Sequence, residues 1–324
     1  MVQELESNLY RLEIPLPKNP LRSVNCYLIR GSDRYLLIDT GMNRQQCLEE
    51  MKKDLEQLAV DLKITDFFIT HLHADHMGLV STLASVNSRI YFNKIEASRV
   101  KKQNFWTQVY SAWLSNGFPE DELNRLLEEH PGRRYGPRKD IVFSLCHDGD
   151  KINVGEYSLI CIETPGHSPG HMCLYDAAKG ILFSGDHLLG DITPNISAVG
   201  ASNNEDPLGN YLKSLDKVYD LDVKMILPGH GGIFQNPRKR IKLIKDHHDR
   251  RLSQVVAILK DEPGLSAYEV ASRMSWEVKG RWSEFPVTQK WFAAGEALAH
   301  LIYLEKGGAV SREMVRSVWH YFAI

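Results

Sequence analysis

The sequence predicts a mixed α/β domain over residues 1–235, followed by a small helical domain over residues 236–324. Short runs of β-branched and aromatic residues, separated by Gly, Pro and Asn, recur through the first part and indicate strands. Apolar residues at helical spacing lie between these runs and dominate the last part. A chain of 324 residues, 43% of them hydrophobic, is long enough for one large domain with a small appendage.

The composition excludes several classes of protein. Lys and Arg total 39 against 41 Asp and Glu, which excludes a generally basic nucleic-acid coat but not a local basic face. No apolar stretch approaches the ~18 residues of a membrane span. The acidic start MVQELESNLY is not typical of a targeting segment, and the five cysteines form no CxxC pair. We therefore expect a cytoplasmic protein with reduced thiols and no membrane association.

The first part of the chain alternates strands with one helix. The helix is predicted over Cys47–Leu62, where apolar residues recur at helical spacing and give one buried face. A further strand, Ile64–Thr70, runs directly into the segment HLHADHMG. The strands that precede the helix are predicted at Asn8–Ile14, Val24–Arg30 and Tyr35–Asp39.

Residues 94–130 change to helical character, with an aromatic stripe from Phe105 to Trp113. Packing is the favoured interpretation of this stripe, and a lid over a site is the alternative. Pro237 suits the first turn of a helix, and Ser266 and Glu269 have the spacing of a capping box. The remaining predicted elements are strands at Tyr157–Thr164, His171–Tyr175, Ile181–Ser184 and Val223–Leu227, and helices over residues 208–219 and 291–304.

The strongest chemical signal lies in His71, His73, Asp75 and His76, three imidazoles and a carboxylate within six residues. Helical side chains two positions apart point away from each other, so the cluster requires an irregular loop after a strand. Neutral imidazole and carboxylate are common nitrogen and oxygen ligands of divalent metals. A solvated polar turn would explain one such His but not the whole cluster.

Three more residues of ligand type stand at the ends of predicted strands. His167 lies in TPGHSPGH, Asp186 ends FSGD, and His230 lies in LPGHGG. A glycine precedes each of them and allows the backbone to approach an ion closely. A lone His at a strand end is usually a turn residue, but the repeated pattern favours a metal site.

The motifs HxHxDH, TPGH, SGD and PGHG, in that order, resemble the metallo-β-lactamase superfamily over roughly residues 8–235. The resemblance implies a four-layer αββα sandwich with a dinuclear zinc site at one edge of the two sheets, and iron or manganese would also suit these ligands. It implies that residues 94–145 are a helical insertion and that the C-terminal domain is winged-helix-like. Carried over position by position, the first ion would be bound by His71, His73 and His167 and the second by Asp75, His76 and His230, with Asp186 bridging and Asp39 supporting the site from behind. His187, next to Asp186 in the sequence, is a candidate substrate contact, and a half-exposed loop histidine is the alternative.

The resemblance also suggests a reaction. Two divalent ions can share one hydroxide and orient it toward an electrophile, and Asp75 is the candidate that shuttles a proton to the leaving group. TPGHSPGH is similar to glyoxalase II-like hydrolases, which favours hydrolysis of a thioester or ester on a small thiol or carrier. An oligomer is compatible with this interpretation.

Two alternatives remain at this stage. A metal-dependent ribonuclease acting on single-stranded RNA is suggested by the winged-helix-like tail and the basic stretch 238–251, which is otherwise a solvated helix face. A non-catalytic, metal-stabilised binding protein is the other alternative. A structural zinc site would not need a bridging carboxylate, which argues against it.

Overall fold

Two sheets pack face to face in the computed structural model, which describes residues 1–102, 104–137, 140–198 and 205–324. Within these ranges the first sheet has seven strands in chain order, β1 to β7, and the second has five in the order β12-β11-β10-β9-β8. The first sheet is built from β1 (Val2–Glu6), β2 (Leu9–Pro15), β3 (Ser23–Arg30), β4 (Tyr35–Ile38), β5 (Thr65–Phe68), β6 (Ile90–Asn93) and β7 (Ser144–Cys146). The second is built from β8 (Lys151–Val154), β9 (Tyr157–Glu163), β10 (Met172–Asp176), β11 (Ile181–Gly185) and β12 (Met225–Pro228).

Helices connect and cover these strands. The crossover between the parallel strands β4 and β5 contains α1 (Gln45–Gln57), whose buried Cys47, Met51 and Leu55 face the sheet, as their spacing predicts. Short helices α2 and α3 follow β5, four helices lie between β6 and β7, and α8 leads into β12. Their bounds are α2 (Ala74–Met77), α3 (Val80–Leu83), α4 (Lys94–Lys101), α5 (Phe105–Leu114), α6 (Glu120–Glu129), α7 (Pro131–Arg134) and α8 (Pro207–Tyr219).

Three hydrophobic clusters define four layers. Buried residues from both sheets, among them Phe68 and Phe183, form the cluster between the sheets. The outer face of the first sheet packs against α1 through residues such as Leu37 and Met51. The outer face of the second sheet packs against the helices on its side of the molecule. The predicted αββα sandwich is therefore confirmed.

Parallel pairing brings the ends of several strands to one edge. β4 and β5 run parallel, with Ile38 opposite Phe68, so both strands end there. β11 and β12 are also parallel, with Gly185 opposite Pro228. Since the backbone N–H of Asn25 in β3 donates to the carbonyl oxygen of Gly229, the same edges of the two sheets are joined directly. The predicted ligands follow these strand ends.

The C-terminal part is helical, as predicted, and ends in a hairpin. Its helices are α9 (Pro237–Asp261), α10 (Ala267–Arg273) and α11 (Val287–Lys306), and the capping box of Ser266 and Glu269 is present. After the turn at residues 307–308, β13 (Val310–Val315) and β14 (Val318–Ala323) form an antiparallel pair. The sequence analysis did not predict this hairpin, and the winged-helix likeness stays an interpretation.

The predicted insertion packs against the C-terminal helices. Trp113 of α5 is buried, with its ring 4.7 Å from that of Trp291 in α11. The ammonium of Lys290 lies 2.6 Å from a carboxylate oxygen of Glu122 in α6. The contact between Trp113 and Trp291 supports the packing interpretation of the aromatic stripe. The domain boundary at residue 235 stays a prediction.

In the part of the chain that the structure describes, no helix has the length and apolarity needed to cross a membrane.

Candidate metal centre

Four loops at the shared sheet edge bring all seven predicted ligands together. His71 and His73 follow β5, and α2 carries Asp75 and His76. The other three ligands come from the β9–β10 loop, the end of β11 and the end of β12. Their ligand atoms form three overlapping groups, each within 4.8 Å: His71, His73 and His167; His71, His76 and Asp186; and Asp75, His76 and His230.

The Asp186 carboxylate lies among these groups. Its Oδ2 atom is 3.4 Å from Nε2 of His167 and 3.5 Å from Nε2 of both His76 and His230. Ligand atoms at about 2.0–2.1 Å from one tetrahedral zinc ion lie about 3.4 Å from each other. Asp186 therefore stands at ligand-to-ligand distance from imidazoles of both sets predicted from the sequence.

Hydrogen bonds behind the rings fix which nitrogen of each imidazole faces inward. Nδ1 of His167 lies 2.9 Å from the carbonyl oxygen of Asn195, and Nδ1 of His230 lies 2.7 Å from that of Ser23. Because a carbonyl oxygen only accepts, both rings must carry a proton on Nδ1. When these rings are neutral, Nε2 of each presents a lone pair to the centre.

His71 and His76 are oriented in the same way through Asp39. Nδ1 of His76 donates to Oδ2 of Asp39 at 2.8 Å. The Thr70 hydroxyl donates to Asp39, so its oxygen is left to accept from Nδ1 of His71 at 3.0 Å. Four imidazole lone pairs and two carboxylates thus converge in a small buried volume.

Such an arrangement needs a cation. Nε2 of His76, Nε2 of His230 and Oδ1 of Asp186 are buried and have no hydrogen-bond partner among the described residues. Nδ1 of His73 lies only 2.9 Å and 3.0 Å from Nε2 of His71 and His167, where neutral lone pairs would repel one another. A bound divalent ion satisfies these atoms, since metal-ligating imidazoles typically donate their other N–H to a carbonyl or carboxylate. The residues present fit a divalent metal.

The pKa values of the rings divide them into two sets. Burial, together with neighbouring imidazoles, lowers the pKa of His71 well below its ordinary value and that of His73 to about 3. Burial likewise lowers the pKa of His167. These three rings are therefore neutral at pH 7, the form that ligates a metal.

The second set is governed by carboxylates. Burial alone would lower the pKa of His76, but Asp186 and Asp39 raise it well above its ordinary value. The pKa of His230 is raised by Asp186 in the same way, against the effect of burial. Burial would raise the pKa of Asp186, but His230 and His76 hold it well below its usual range. The Asp186 carboxylate is therefore an anion ready to bind a cation.

Backbone geometry at the centre depends on two glycines. Gly185 has φ of +48°, and an added Cβ would lie 2.7 Å from Nε2 of His171. A Cβ on Gly229 would lie 2.5 Å from Oδ1 of Asp186. Asp39 adopts φ of +58° without being glycine, a conformation that costs about 1 kcal/mol and is concentrated at functional sites.

Two residues that hold the centre were not singled out from the sequence. The backbone N–H of Asp186 donates to Nε2 of the buried His171, whose Nδ1 lies 2.8 Å from the Thr164 hydroxyl. The carboxylate of Glu96, in α4, accepts from the backbone N–H groups of Leu72 at 2.9 Å and Gly170 at 2.6 Å. The second histidine of TPGHSPGH was a signal for His171, whereas Glu96 has no local signature.

His187 lies behind the centre. Its ring has no exposed surface, packs edge-on against Tyr211 and has no hydrogen-bond partner among the described residues. None of the candidate ligand groups formed by the described residues includes it. The ring has no surface open to a substrate in this arrangement. The substrate contact of His187 stays a prediction from the sequence.

Comparison with known proteins places this geometry in a family context. The profile of the family described as "Metallo-beta-lactamase superfamily" matches residues 19–230. A solved metallo-beta-lactamase family protein from Thermus thermophilus is 28% identical and superposes with a TM-score of 0.85, covering 99% of this chain and 100% of that one. The match therefore extends beyond the sandwich to the C-terminal helices.

Two fungal relatives extend the comparison. The lactamase-like protein adaB from Aspergillus niger is 29% identical over 240 residues, which is 74% of this chain and 60% of that protein. An atrochrysone carboxyl ACP thioesterase from Aspergillus fumigatus is 27% identical over 244 residues, 74% of this chain and 61% of that protein. This chain thus spans about three fifths of the length of these relatives.

Proposed function

Because the chain belongs to the metallo-beta-lactamase superfamily, we propose that it is a metal-dependent hydrolase that binds two zinc ions and hydrolyses a thioester or ester carried on a small thiol or carrier. The observation that carries the proposal is the convergence of three imidazole Nε2 atoms on Oδ2 of Asp186. A single carboxylate oxygen at ligand-to-ligand distance from three rings is suited to binding two ions at once.

Each ion would have its own ligands. His71, His73 and His167 would hold the first ion, Asp75, His76 and His230 would hold the second, and Asp186 would bind both. Zinc suits this set, and iron or manganese would accept the same nitrogen and oxygen ligands. When bound, such a pair of ions supplies an activated water and positive charge that stabilises the developing oxyanion.

Asp75 is proposed to move the proton. Its Oδ2 atom lies 3.5 Å from Nε2 of His230, within the second ligand set, which leaves Oδ1 free to take a proton. The side chain of Asp75 is 17% exposed against 9% for Asp186, so Asp75 is the more accessible of the two carboxylates. Oδ1 would pass that proton to the leaving group.

The leaving group favours a thioester. A thiol has a pKa of about 8.5, so a thiolate departs near neutral pH with little help from an acid. An alcohol leaving group depends much more on protonation by a general acid. A single carboxylate such as Asp75 therefore suits the first case better, and the similarity to an acyl-carrier thioesterase supports the same substrate class.

At least three of the seven cations in the basic stretch 238–251, which suggested RNA, are engaged within the molecule. The guanidinium of Arg240 donates to the carbonyl oxygens of Leu189 and Ile192, both at 2.7 Å. Lys245 pairs with Asp216, and Arg251 pairs with Glu296 at 3.3 Å. These cations are not free to bind phosphates, so the ribonuclease stays the second candidate. The non-catalytic alternative ranks below both, because a structural zinc site would not need a carboxylate that faces both ligand sets.

The test is metal-dependent thioester hydrolysis. Purified protein is loaded with zinc, its metal content is measured by mass spectrometry, and thiol release is followed with acyl-coenzyme A, acyl-pantetheine and acyl-glutathione. Wild type is expected to bind two ions per chain and to release thiol. Asp186→Asn is expected to lose about 100-fold or more in kcat/KM, because it removes a negative ligand shared by both ions.

End-labelled single-stranded RNA is offered to the same two proteins. Cleavage by wild type but not by Asp186→Asn, without any thiol release, would replace the thioester proposal with the ribonuclease. Equal activity of both proteins toward a substrate would identify a contaminating enzyme. Circular dichroism of the variant verifies that it folds.

A further inference from the structure

A concave pocket of about 270 Å³ lies beside the candidate metal centre. The β2–β3 loop at residues 16–19 and the α6–α7 segment at residues 129–135 both contribute to its lining. Met42 and Arg44, which precede α1, complete the lining. Pockets for whole drug-sized ligands are about 300–1,000 Å³, so this one suits a single group of a larger molecule.

Backbone contacts connect the pocket to the ligand-bearing segments. The N–H of Asn43 donates to the carbonyl oxygen of Tyr135 at 3.2 Å, and the N–H of Thr40 donates to that of His76 at 2.7 Å. An added Cβ on Gly78, the residue after α2, would lie 2.5 Å from the Asn43 nitrogen and 2.7 Å from the Tyr135 oxygen. The pocket is thus one layer of residues away from the helix that carries Asp75.

The pocket is positively charged. Lys18, Arg44 and Arg134 line it, against the single carboxylate of Glu129. Some cations elsewhere in the chain pair with a carboxylate, as Arg34 does with Asp66. No carboxylate among the described residues forms a salt bridge with any of the three lining cations. The excess charge therefore faces the pocket without internal neutralisation.

The central cation is held in place. Nη1 of the half-buried Arg44 donates to the carbonyl oxygen of Pro17 at 2.9 Å, and its guanidinium lies 5.0 Å from the ring centre of Tyr135. A guanidinium fixed by a carbonyl and an aromatic ring has its remaining N–H groups ordered in advance, which suits a phosphate oxygen. Lys18 adopts φ of +62° without being glycine, a strained conformation of the kind found at binding sites.

We propose that this pocket binds a phosphate of the substrate, so that the hydrolysed thioester is carried on a phosphorylated pantetheine arm, either in coenzyme A or attached to a carrier protein. The inference rests on the proposed function and specifies the substrate of that same site. The phosphate would lie in the pocket while the acyl–sulfur bond extends toward Asp75. Charge-assisted hydrogen bonds to two or three cations account for the preference over an uncharged carrier.

The experiment compares two thioesters that differ by one phosphate. The same acyl group is presented on pantetheine and on 4′-phosphopantetheine, and KM is measured for each with the zinc-loaded full chain. Wild type is expected to show a KM about tenfold or more lower for the phosphorylated compound. Lys18→Gln/Arg134→Gln is expected to bring the ratio of the two KM values close to one, and Glu129→Gln to increase it.

A matched double variant controls for net charge. Lys52→Gln/Lys213→Gln removes two exposed cations on other faces and is expected to keep the wild-type ratio. Wild type that hydrolyses both thioesters with equal KM overturns the proposal. Retention of the ratio by the Lys18/Arg134 variant overturns it as well. Coenzyme A and carrier-protein thioesters of the same acyl group then identify which source of the phosphate is preferred.

Direct binding separates failure of this inference from failure of the proposed function. If no thioester is hydrolysed, 4′-phosphopantetheine is titrated calorimetrically into wild type and the Lys18/Arg134 variant. Binding at least about tenfold weaker in the variant supports the pocket even though the hydrolase proposal has failed. No binding to wild type overturns the pocket. Binding of single-stranded RNA in preference to phosphopantetheine, lost in the same variant, assigns the pocket to nucleic acid and overturns the thioester carrier.

Discussion

Glu96 connects two loops that carry candidate ligands, and its removal should weaken metal binding without touching a ligand. Its carboxylate has no exposed surface. One oxygen accepts from the N–H of Leu72, between His71 and His73, and the other accepts from Gly170, three residues after His167. The side chain therefore fixes both loops relative to each other and to α4.

The magnitude follows from these two bonds. A hydrogen bond to a charged group contributes about 1.5–3 kcal/mol, so Glu96→Ala should lower the free energy of unfolding by about 3–6 kcal/mol. Glu96→Gln keeps the volume and one acceptor but turns an amide NH₂ toward the second backbone N–H, so its expected loss is about 1.5–3 kcal/mol. Metal affinity should fall about 10–100-fold, as is typical when a group that orients ligands is lost.

The assay measures zinc affinity by competition with a fluorescent chelator, and stability by urea unfolding of the metal-free protein. Glu128→Gln, an exposed substitution on α6, serves as the control with the same chemical change. If folded Glu96→Gln binds zinc within twofold of wild type, the carboxylate does not position the ligands. A loss of stability with unchanged zinc affinity would assign Glu96 a purely structural role.

Three further results are expected. Asp39→Asn removes the charge that holds Nδ1 of His76, so chelator competition should show about 10–100-fold weaker binding of one ion, and loss of neither ion would contradict this role. Gly185→Ala places a Cβ 2.7 Å from Nε2 of His171 at a φ of +48°, so it should lower the midpoint of urea unfolding by an amount equivalent to about 1–3 kcal/mol, whereas an unchanged midpoint would show that the turn relaxes. Burial, aided by Arg133, lowers the pKa of His130 to about 4, whereas in the unfolded chain it is about 6.5. As the pH falls below about 6.5 the unfolded chain therefore binds the proton first, and the free energy of unfolding decreases by about 2 kcal/mol at pH 5. His130→Gln should reduce the stability difference between pH 7 and pH 5 by that amount in urea unfolding, and an unchanged difference would refute the assignment.

The sequence predicted most of the longer strands and missed several short or exposed ones, including the buried four-residue strand Ile90–Asn93. Val24–Arg30 was predicted and observed as Ser23–Arg30, because both faces of that strand are covered and its residues are mostly apolar. Ser144–Cys146 has three residues and one buried side chain, which is too short to produce a pattern. The terminal hairpin was missed because β13 is largely exposed and follows a long helix.

The candidate ligands could be located in the sequence because four of them lie in one segment and the other three follow buried strands. What the sequence could not show is the second layer that orients those ligands. Glu96 and His171 act through backbone N–H groups, and a backbone partner leaves no requirement on the identity of the residue that supplies it. The carbonyl oxygens of Ser23 and Asn195, which set the tautomers of His230 and His167, are invisible for the same reason.

By itself the sequence determined the chemical type of the centre, since imidazoles and carboxylates at strand ends have few uses other than binding a metal. Only the tertiary structure decided that Asp186 faces both ligand sets, that α5 and α6 pack on α11, and that Lys18 and Arg134 share a pocket. Each of these depends on contacts between segments far apart in the chain, as with Glu122 and Lys290, 168 residues apart. Residue type and spacing are local properties, whereas such contacts exist only once both sheets and their helices have packed.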